Sequence, residues 1–142
     1  MAAKFNFMLS MALFISSCTS ETDSLDHQGR ISEVPQMSVY ELKNLQKSDE
    51  SFYLFDVREE WERKIARIEG SRLLNEETVD FINTLDPDSL MVFQCRTGGR
   101  SQAAAEYFRQ RGFTRVFNLA GGIDAWSVEI DPSVARYSRK SK

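Results

Sequence analysis

One segment of the chain concentrates reactive side chains: Cys95-Arg96-Thr97-Gly98-Gly99-Arg100-Ser101. It lies between an apolar run, Leu90 to Gln94, and a helix expected from Ser101 to Arg111. A helix N-terminus offers unpaired N–H groups and about half a positive charge. Arg96 and Arg100 add fixed positive charge. Gly98 and Gly99 let the loop curl with its amides turned inward, a backbone nest for an anion. Each effect favours thiolate over thiol, so the pKa of Cys95 is expected to fall. The chemistry predicted is nucleophilic attack by sulfur without a histidine base. The chain's single histidine, His27, lies in a polar stretch near the start, which argues against Ser-His-Asp and Cys-His machinery. Two cysteines and one histidine also exclude a disulfide framework and a Cys/His zinc centre. A lone cysteine at a strand end is commonly a small buried hydrophobe, but the arginines and glycines after Cys95 have no packing rationale.

The elements that must position this loop follow from pattern. Arg30 to Val34 is a short candidate strand, stopped by Pro35. Ser38-Val39-Tyr40-Glu41 is a capping box, with Met37 and Leu42 placed as the accompanying staple, and a helix runs to about Lys47. Phe52 to Phe55 reads as a buried strand that delivers Asp56, Val57 and Arg58 at its C-terminal end. Asp56 and Arg58 are read as structural support, because an aspartate there caps the next helix or pairs with an arginine. Glu59 to Ala66 is a helix with acids in its first turn. Ser71 to Asn75 is a strand, and Glu76 to Leu85 a helix stopped by Asp86-Pro87. Leu90 to Gln94 is the most strand-like run. In the helix that follows, Ala104, Tyr107, Phe108 and Arg111 share one face, with Gly112 as its stop. Arg115 to Leu119 is a last strand, Gly121-Gly122 a turn, and Ile123 to Ser127 a short helix. Trp61, Trp126, Phe81, Ile82 and Leu85 read as packing residues.

Strands alternating with helices predict an α/β fold: a parallel sheet of four or five strands with helices on both faces. Ligands of such sheets bind outside the carboxyl ends of the strands. Asp56 and Cys95 both lie there.

The loop, with Asp56-Val57-Arg58-Glu59 before it and Leu119-Ala120-Gly121-Gly122-Ile123-Asp124-Ala125-Trp126 after it, resembles the active-site pattern of single-domain rhodaneses. The resemblance runs from about Ser32 to Ser127. It implies a rhodanese-like fold and a sulfurtransferase. Cys95 would take the sulfane sulfur of a donor such as thiosulfate as a persulfide and pass it to a thiophilic acceptor, cyanide or a thiol, a protein thiol included. The backbone from Arg96 through Thr97, Gly98, Gly99 and Arg100 to Ser101 would cradle the sulfur. Arg96 and Arg100 would attract the anionic donor, and Ser101 would help close the loop. No metal or organic cofactor is implied. Cysteine phosphatases also place an arginine after a loop cysteine, but with five residues between; here four intervene, and Gln94 stands where they carry histidine. Many rhodaneses have His-Ile-Pro-Gly-Ala where this chain has Arg67-Ile68-Glu69-Gly70-Ser71. The different-class alternative is a non-catalytic rhodanese fold serving as an interaction or sulfide-sensing module; the intact Cys95 speaks against it. A thiol-redox role is a third possibility.

The start of the chain reads as an address. Lys4 is followed by an apolar run from Phe5 to Ile15, and residues 1–17 have the shape of a cleaved secretory signal. The run is shorter than the roughly 20 residues a bilayer span needs. Ile15-Ser16-Ser17-Cys18 resembles the lipobox of bacterial lipoproteins. Three readings of Cys18 stay open: the lipid-bearing first residue, a bystander in an ordinary signal, or part of an uncleaved membrane-facing helix. The first gives the expected layout: signal 1–17, lipid-anchored tether 18–29, domain 30–130 and basic tail 131–142. It would place an exported bacterial protein on the periplasmic side, held to a membrane by lipid on Cys18.

Composition agrees with one globular domain. The chain has 142 residues, 42% hydrophobic and 27% charged, too apolar to stay disordered. Its net charge of −3 gives no support for a nucleic-acid partner. The only basic cluster, Arg136 to Lys142, reads as a solvated end.

Overall fold

Strand and helix alternate along the chain in the computed structural model, which describes residues 33–138. The expected signal, Cys18, the tether, the first part of the strand predicted from Arg30, and the last four tail residues lie outside the described residues. Five strands, β1 (Gln36–Met37), β2 (Tyr53–Asp56), β3 (Arg72–Leu73), β4 (Met91–Gln94) and β5 (Val116–Leu119), form one sheet in the order β1-β5-β4-β2-β3. Every pairing is parallel. The helices between and after them are α1 (Val39–Leu45), α2 (Glu60–Ile65), α3 (Glu76–Ile82), α4 (Gly99–Arg109) and α5 (Gly122–Glu129).

The first strand sits later than expected. Glu33 to Pro35 has no strand geometry, and β1 begins just after the proline. Pro35 lacks an N–H but keeps its carbonyl, which accepts from Asn118 N at 3.0 Å. An edge strand entered through a proline loses nothing it needs. The capping box at Ser38 is present: Glu41 N donates to Ser38 Oγ, and Ser38 N donates to the Glu41 carboxylate at 2.7 Å. Met37 and Leu42 meet in one core cluster, as a staple requires.

Helices cover both faces, because β4 is apolar on both. Val92 joins Leu42, Leu54, Ile68, Ile123 and Trp126 on one side. Met91 and Phe93 join Phe55, Ile82, Ala105 and Phe108 on the other. Phe55, Phe93 and Phe108 stack in sequence at 5.2 and 5.1 Å between centroids. The last residue of β4 breaks the pattern: Gln94 is fully buried, and among the described residues neither amide atom has a hydrogen-bond partner.

Two packing expectations are corrected. Of Ala104, Tyr107, Phe108 and Arg111, expected to share one face of α4, Phe108 is buried and Ala104 packs partly buried beside it, but Tyr107 is exposed and Arg111 stands in solvent; Ser101 and Ala105 complete the inward face. The helix begins at Gly99, two residues early, and the run Ala103-Ala104-Ala105 gives no hydrophobic contrast to set its phase. Trp61 is no core residue either, being 47% exposed on α2, whereas Trp126 is buried.

Candidate active site

Cys95 leaves the C-terminal end of β4, where parallel topology places it beside the end of β2. Its side chain is 1% exposed and forms part of a pocket of about 300 Å³. Gly98 N donates to Sγ at 3.2 Å, and Ser101 Oγ lies 3.4 Å from it. Gly98 holds φ +104°, in the left-handed region that lets the chain double back over the sulfur. Gly99 has ordinary φ and open space around it, so a glycine is required at one of the two positions only. Burial pushes the Cys95 thiol up. Hydrogen bonds from Ser101 Oγ and from the N–H groups of Ser101, Gly98 and Thr97 outweigh burial and hold the thiol below its ordinary value. Of the effects expected to lower it, the loop's own donors lead, and Arg100 interacts electrostatically with the sulfur as well.

Ser101 is more than a loop closer. Its hydroxyl lies 2.7 Å from Asn118 Oδ1 as well as 3.4 Å from the sulfur. One proton cannot serve both, so Asn118 on β5 competes with Cys95 for it. Asn118 is fixed in turn by donating Nδ2 to Gln36 Oε1 at 2.8 Å, which ties β1 to the site.

The loop's carbonyls face the other way. Ile123 N donates to Cys95 O at 2.9 Å, and Asp124 N donates to Arg96 O at 3.0 Å. The first turn of α5 therefore props the loop from behind. Contact is so close that a Cβ on Gly122 would stand 2.3 Å from Cys95 O. Gly122, a turn residue in the sequence pattern, is a packing requirement of the active loop.

The two cations of the loop are both partnered. Arg100 makes a two-pronged bridge to Glu62, Nη1 to Oε2 at 2.7 Å and Nη2 to Oε1 at 2.8 Å. Burial raises the Glu62 carboxyl, but the Arg100 hydrogen bonds, the Glu59 N–H and the Tyr137 hydroxyl bring it down to about 2. Arg96 stands 3.8 Å from Asp124 Oδ2 and donates to the Tyr137 carbonyl at 3.3 Å. Arg96, Thr97, Gly99 and Arg100 line the pocket with Cys95, and Glu62 and Tyr137 complete it.

Asp56 and Arg58 stand behind this wall and do not line it. Asp56 accepts from Arg58 Nε at 2.9 Å and Nη2 at 2.6 Å, and from Arg63 Nη1 at 2.9 Å. Arg58 then donates to the Tyr137 hydroxyl at 2.9 Å and the Ala66 carbonyl at 2.8 Å. The buried pair locks the end of β2 to α2 and so fixes Glu62.

Sequence reasoning misses Glu62, Tyr137, Asn118 and Gly122 as site residues. Glu62 has one local signal, its place three residues after Glu59, whose backbone N–H donates to it at 2.9 Å. Tyr137 has none: it comes from the tail, which reads as a solvated end.

The geometry agrees with the comparisons. The model of the rhodanese-like domain family matches residues 38–129. A putative sulfurtransferase of Bacillus subtilis, YtwF, is 36% identical over 101 residues, 70% of this chain and 97% of that protein. A thiosulfate sulfurtransferase, GlpE, of Pseudomonas paraeruginosa is 42% identical over 72 residues, half of this chain and 66% of that one. Some relatives are much longer: the chain spans 30% of one and 26% of another. The crystal structure of a rhodanese-like domain protein from Staphylococcus aureus superposes with a TM-score of 0.59 at 25% identity, covering 74% of this chain and all of that one.

Proposed function

This chain belongs to the rhodanese-like family, whose members include sulfurtransferases, and from that premise we propose that it transfers sulfane sulfur through a Cys95 persulfide, with thiosulfate as a donor. The observation that carries the reading is the convergence of the Gly98 N–H and the Ser101 hydroxyl on a buried sulfur whose pKa lies below its ordinary value. The Cys95 thiolate attacks the outer sulfur of thiosulfate. The S–S bond breaks, and sulfite leaves with its electron pair. A thiol or cyanide then attacks the terminal sulfur, and Cys95 departs as thiolate. The inward amides that hold the thiolate also suit the charge on the persulfide's outer sulfur. Arg96 and Arg100, each about one-third exposed at the pocket, meet the incoming dianion.

The test is the intact mass of the chain after incubation with thiosulfate, beside Cys95→Ser. The parent is expected to gain one sulfur, about 32 Da, lost on adding cyanide, and the variant to gain nothing. A parent without an adduct removes thiosulfate as the donor; failure with every sulfane donor leaves the interaction module as the reading.

The same proposal includes the address. The apolar run Phe5 to Ile15 ahead of Ser16-Ser17-Cys18 supports export and lipid on Cys18, with the domain held on the periplasmic side of a membrane. Expression in a bacterium followed by mass analysis decides it. A membrane-fraction chain beginning at acylated Cys18 is expected, and an unmodified or uncleaved chain refutes it.

A further inference from the structure

Beyond α5, residues 130–137 turn back along the domain and reach the site. Ile130 N and Asp131 N both donate to Trp126 O at 2.9 Å, and Ser133 N donates to Asp131 Oδ1 at 3.1 Å. Val134 packs on the core cluster of Trp126, and its carbonyl accepts from Ser127 Oγ at 2.6 Å. Three residues on, Tyr137 lies half-buried against the site. Its hydroxyl accepts from Arg58 Nη1 and donates to Glu62 Oε1, each at 2.9 Å. Its carbonyl accepts from Arg96 Nη1 at 3.3 Å, and its ring meets the edge of Trp61 at 6.0 Å between centroids. Segment 131–138 lies past residue 129, where the match to the family model ends.

Four attachments make Tyr137 a fixed wall, not a loose side chain. It shares a small pocket with a cysteine that is 1% exposed. Tyr137 and the loop residues Arg96, Thr97, Gly99 and Arg100 line the pocket that leads to Cys95. A pocket of about 300 Å³ is at the low end for small-molecule sites. A thiol carried on a folded protein brings its own backbone and neighbours, and the Tyr137 ring occupies space they need.

We propose that Tyr137 is a specificity-determining residue that narrows the entrance to Cys95, so that compact anionic donors and low-molecular-weight thiols pass and bulky or protein-borne sulfur carriers do not. The substrates in this statement rest on the sulfur-transfer reading; its steric content does not.

The test separates the two. In the full chain carrying Cys18→Ser, Cys95 is the one thiol. Its rate of modification is measured with a compact anion, iodoacetate, and a bulky one, 5,5′-dithiobis(2-nitrobenzoate). The ratio of the two rates cancels changes in thiolate fraction, since both reagents need the thiolate. Tyr137→Ala is expected to raise the bulky-to-compact ratio by about 10-fold or more, within the roughly 10- to 200-fold range of steric discrimination. Tyr137→Trp, which adds bulk on the same backbone, is expected to lower it, so the assignment stays testable should the alanine variant fold poorly. An unchanged ratio in both variants, or equal acceleration of both reagents by Tyr137→Ala, overturns the assignment. In turnover assays, kcat/KM for persulfidated serum albumin relative to thiosulfate should rise with Tyr137→Ala. No turnover in the parent, with the labelling ratios as expected, would sink the sulfur-transfer reading and leave the steric one standing.

Discussion

Replacing Glu62 by glutamine changes one atom type and removes a charge, and its cost can be worked from the bonds it breaks. The residue is 3% exposed, and its carboxylate accepts two hydrogen bonds on each oxygen. Oε2 takes Arg100 Nη1 at 2.7 Å and Glu59 N at 2.9 Å. Oε1 takes Arg100 Nη2 at 2.8 Å and the Tyr137 hydroxyl at 2.9 Å. With its NH₂ at the Oε2 place the amide faces two N–H donors and two bonds are lost; at the Oε1 place it can donate to the Tyr137 hydroxyl, and the bond from Arg100 Nη2 is still lost. Bonds to charged groups are worth about 1.5–3 kcal/mol each. The Arg100 side chain is 34% exposed, so water screens part of that, and the expected loss is about 2–3 kcal/mol. Urea unfolding of the full chain should move its midpoint down by about 1–2 M with the slope unchanged. The pH dependence gives a second check. The folded carboxyl titrates at about 2, below its ordinary value. Its stabilisation is therefore fully present above about pH 4.5 and lost as pH falls through about 2. The gap between parent and Glu62→Gln should close over that window. A gap under about 0.5 kcal/mol at about pH 7, or one that stays constant from about pH 6 to about pH 3, would refute the reasoning.

Three further outcomes are expected. Gly122→Ala should destabilise the fold by more than about 2 kcal/mol, since φ is +56° and the new Cβ would press on the Cys95 carbonyl; thermal unfolding and Cys95 alkylation rates should both report it, and a parent-like variant would contradict the prop. Ser101→Ala should raise the Cys95 pKa, because the thiolate loses a donor. The pH profile of iodoacetamide alkylation measures this, and a profile that stays put assigns the Ser101 proton to Asn118. Gln94→Met should stabilise the chain by about 1 kcal/mol in urea unfolding, since it replaces a buried amide without a protein partner by an apolar chain of similar shape; a loss of stability would mean that amide is satisfied.

The parts of the site legible in sequence are those that local rules determine. The capping box at Ser38, the apolar run into Cys95 and the glycine after Thr97 each declare themselves within a few residues. Glu62 does not, because α2 is only six residues long and carries Glu60 and Glu62 beside the capping Glu59. So short a helix shows no period, and three acids in one turn look alike until Arg100 arrives from α4 to select one. The exposure of Trp61 is hidden for the same reason. Tyr137 is separated by 79 residues from Arg58, its partner, and nothing near it in sequence marks the contact. Pro35 suggests a strand stop, yet only its missing N–H is barred from a ladder, and its carbonyl is free to pair. The alternation of strand and helix, by contrast, determines which side of the sheet holds the chemistry, because parallel strands must all end on one edge.

The loop's backbone has a division of labour. The carbonyls of Cys95 and Arg96 are taken up behind the loop by amides of α5, and the peptide unit that holds Arg96 O carries the Thr97 N–H, one of the donors to the sulfur. Each peptide unit is a dipole, and pinning its oxygen aims its hydrogen. Charge arriving on sulfur thus meets dipoles that are already turned, and no reorientation is left for the reacting step. The turning is done once, when the chain folds, and not at each turnover. The set of the loop at the end of β4 is thereby tied to the integrity of a helix that begins well downstream in the chain, through two backbone hydrogen bonds and the Arg96–Asp124 ion pair.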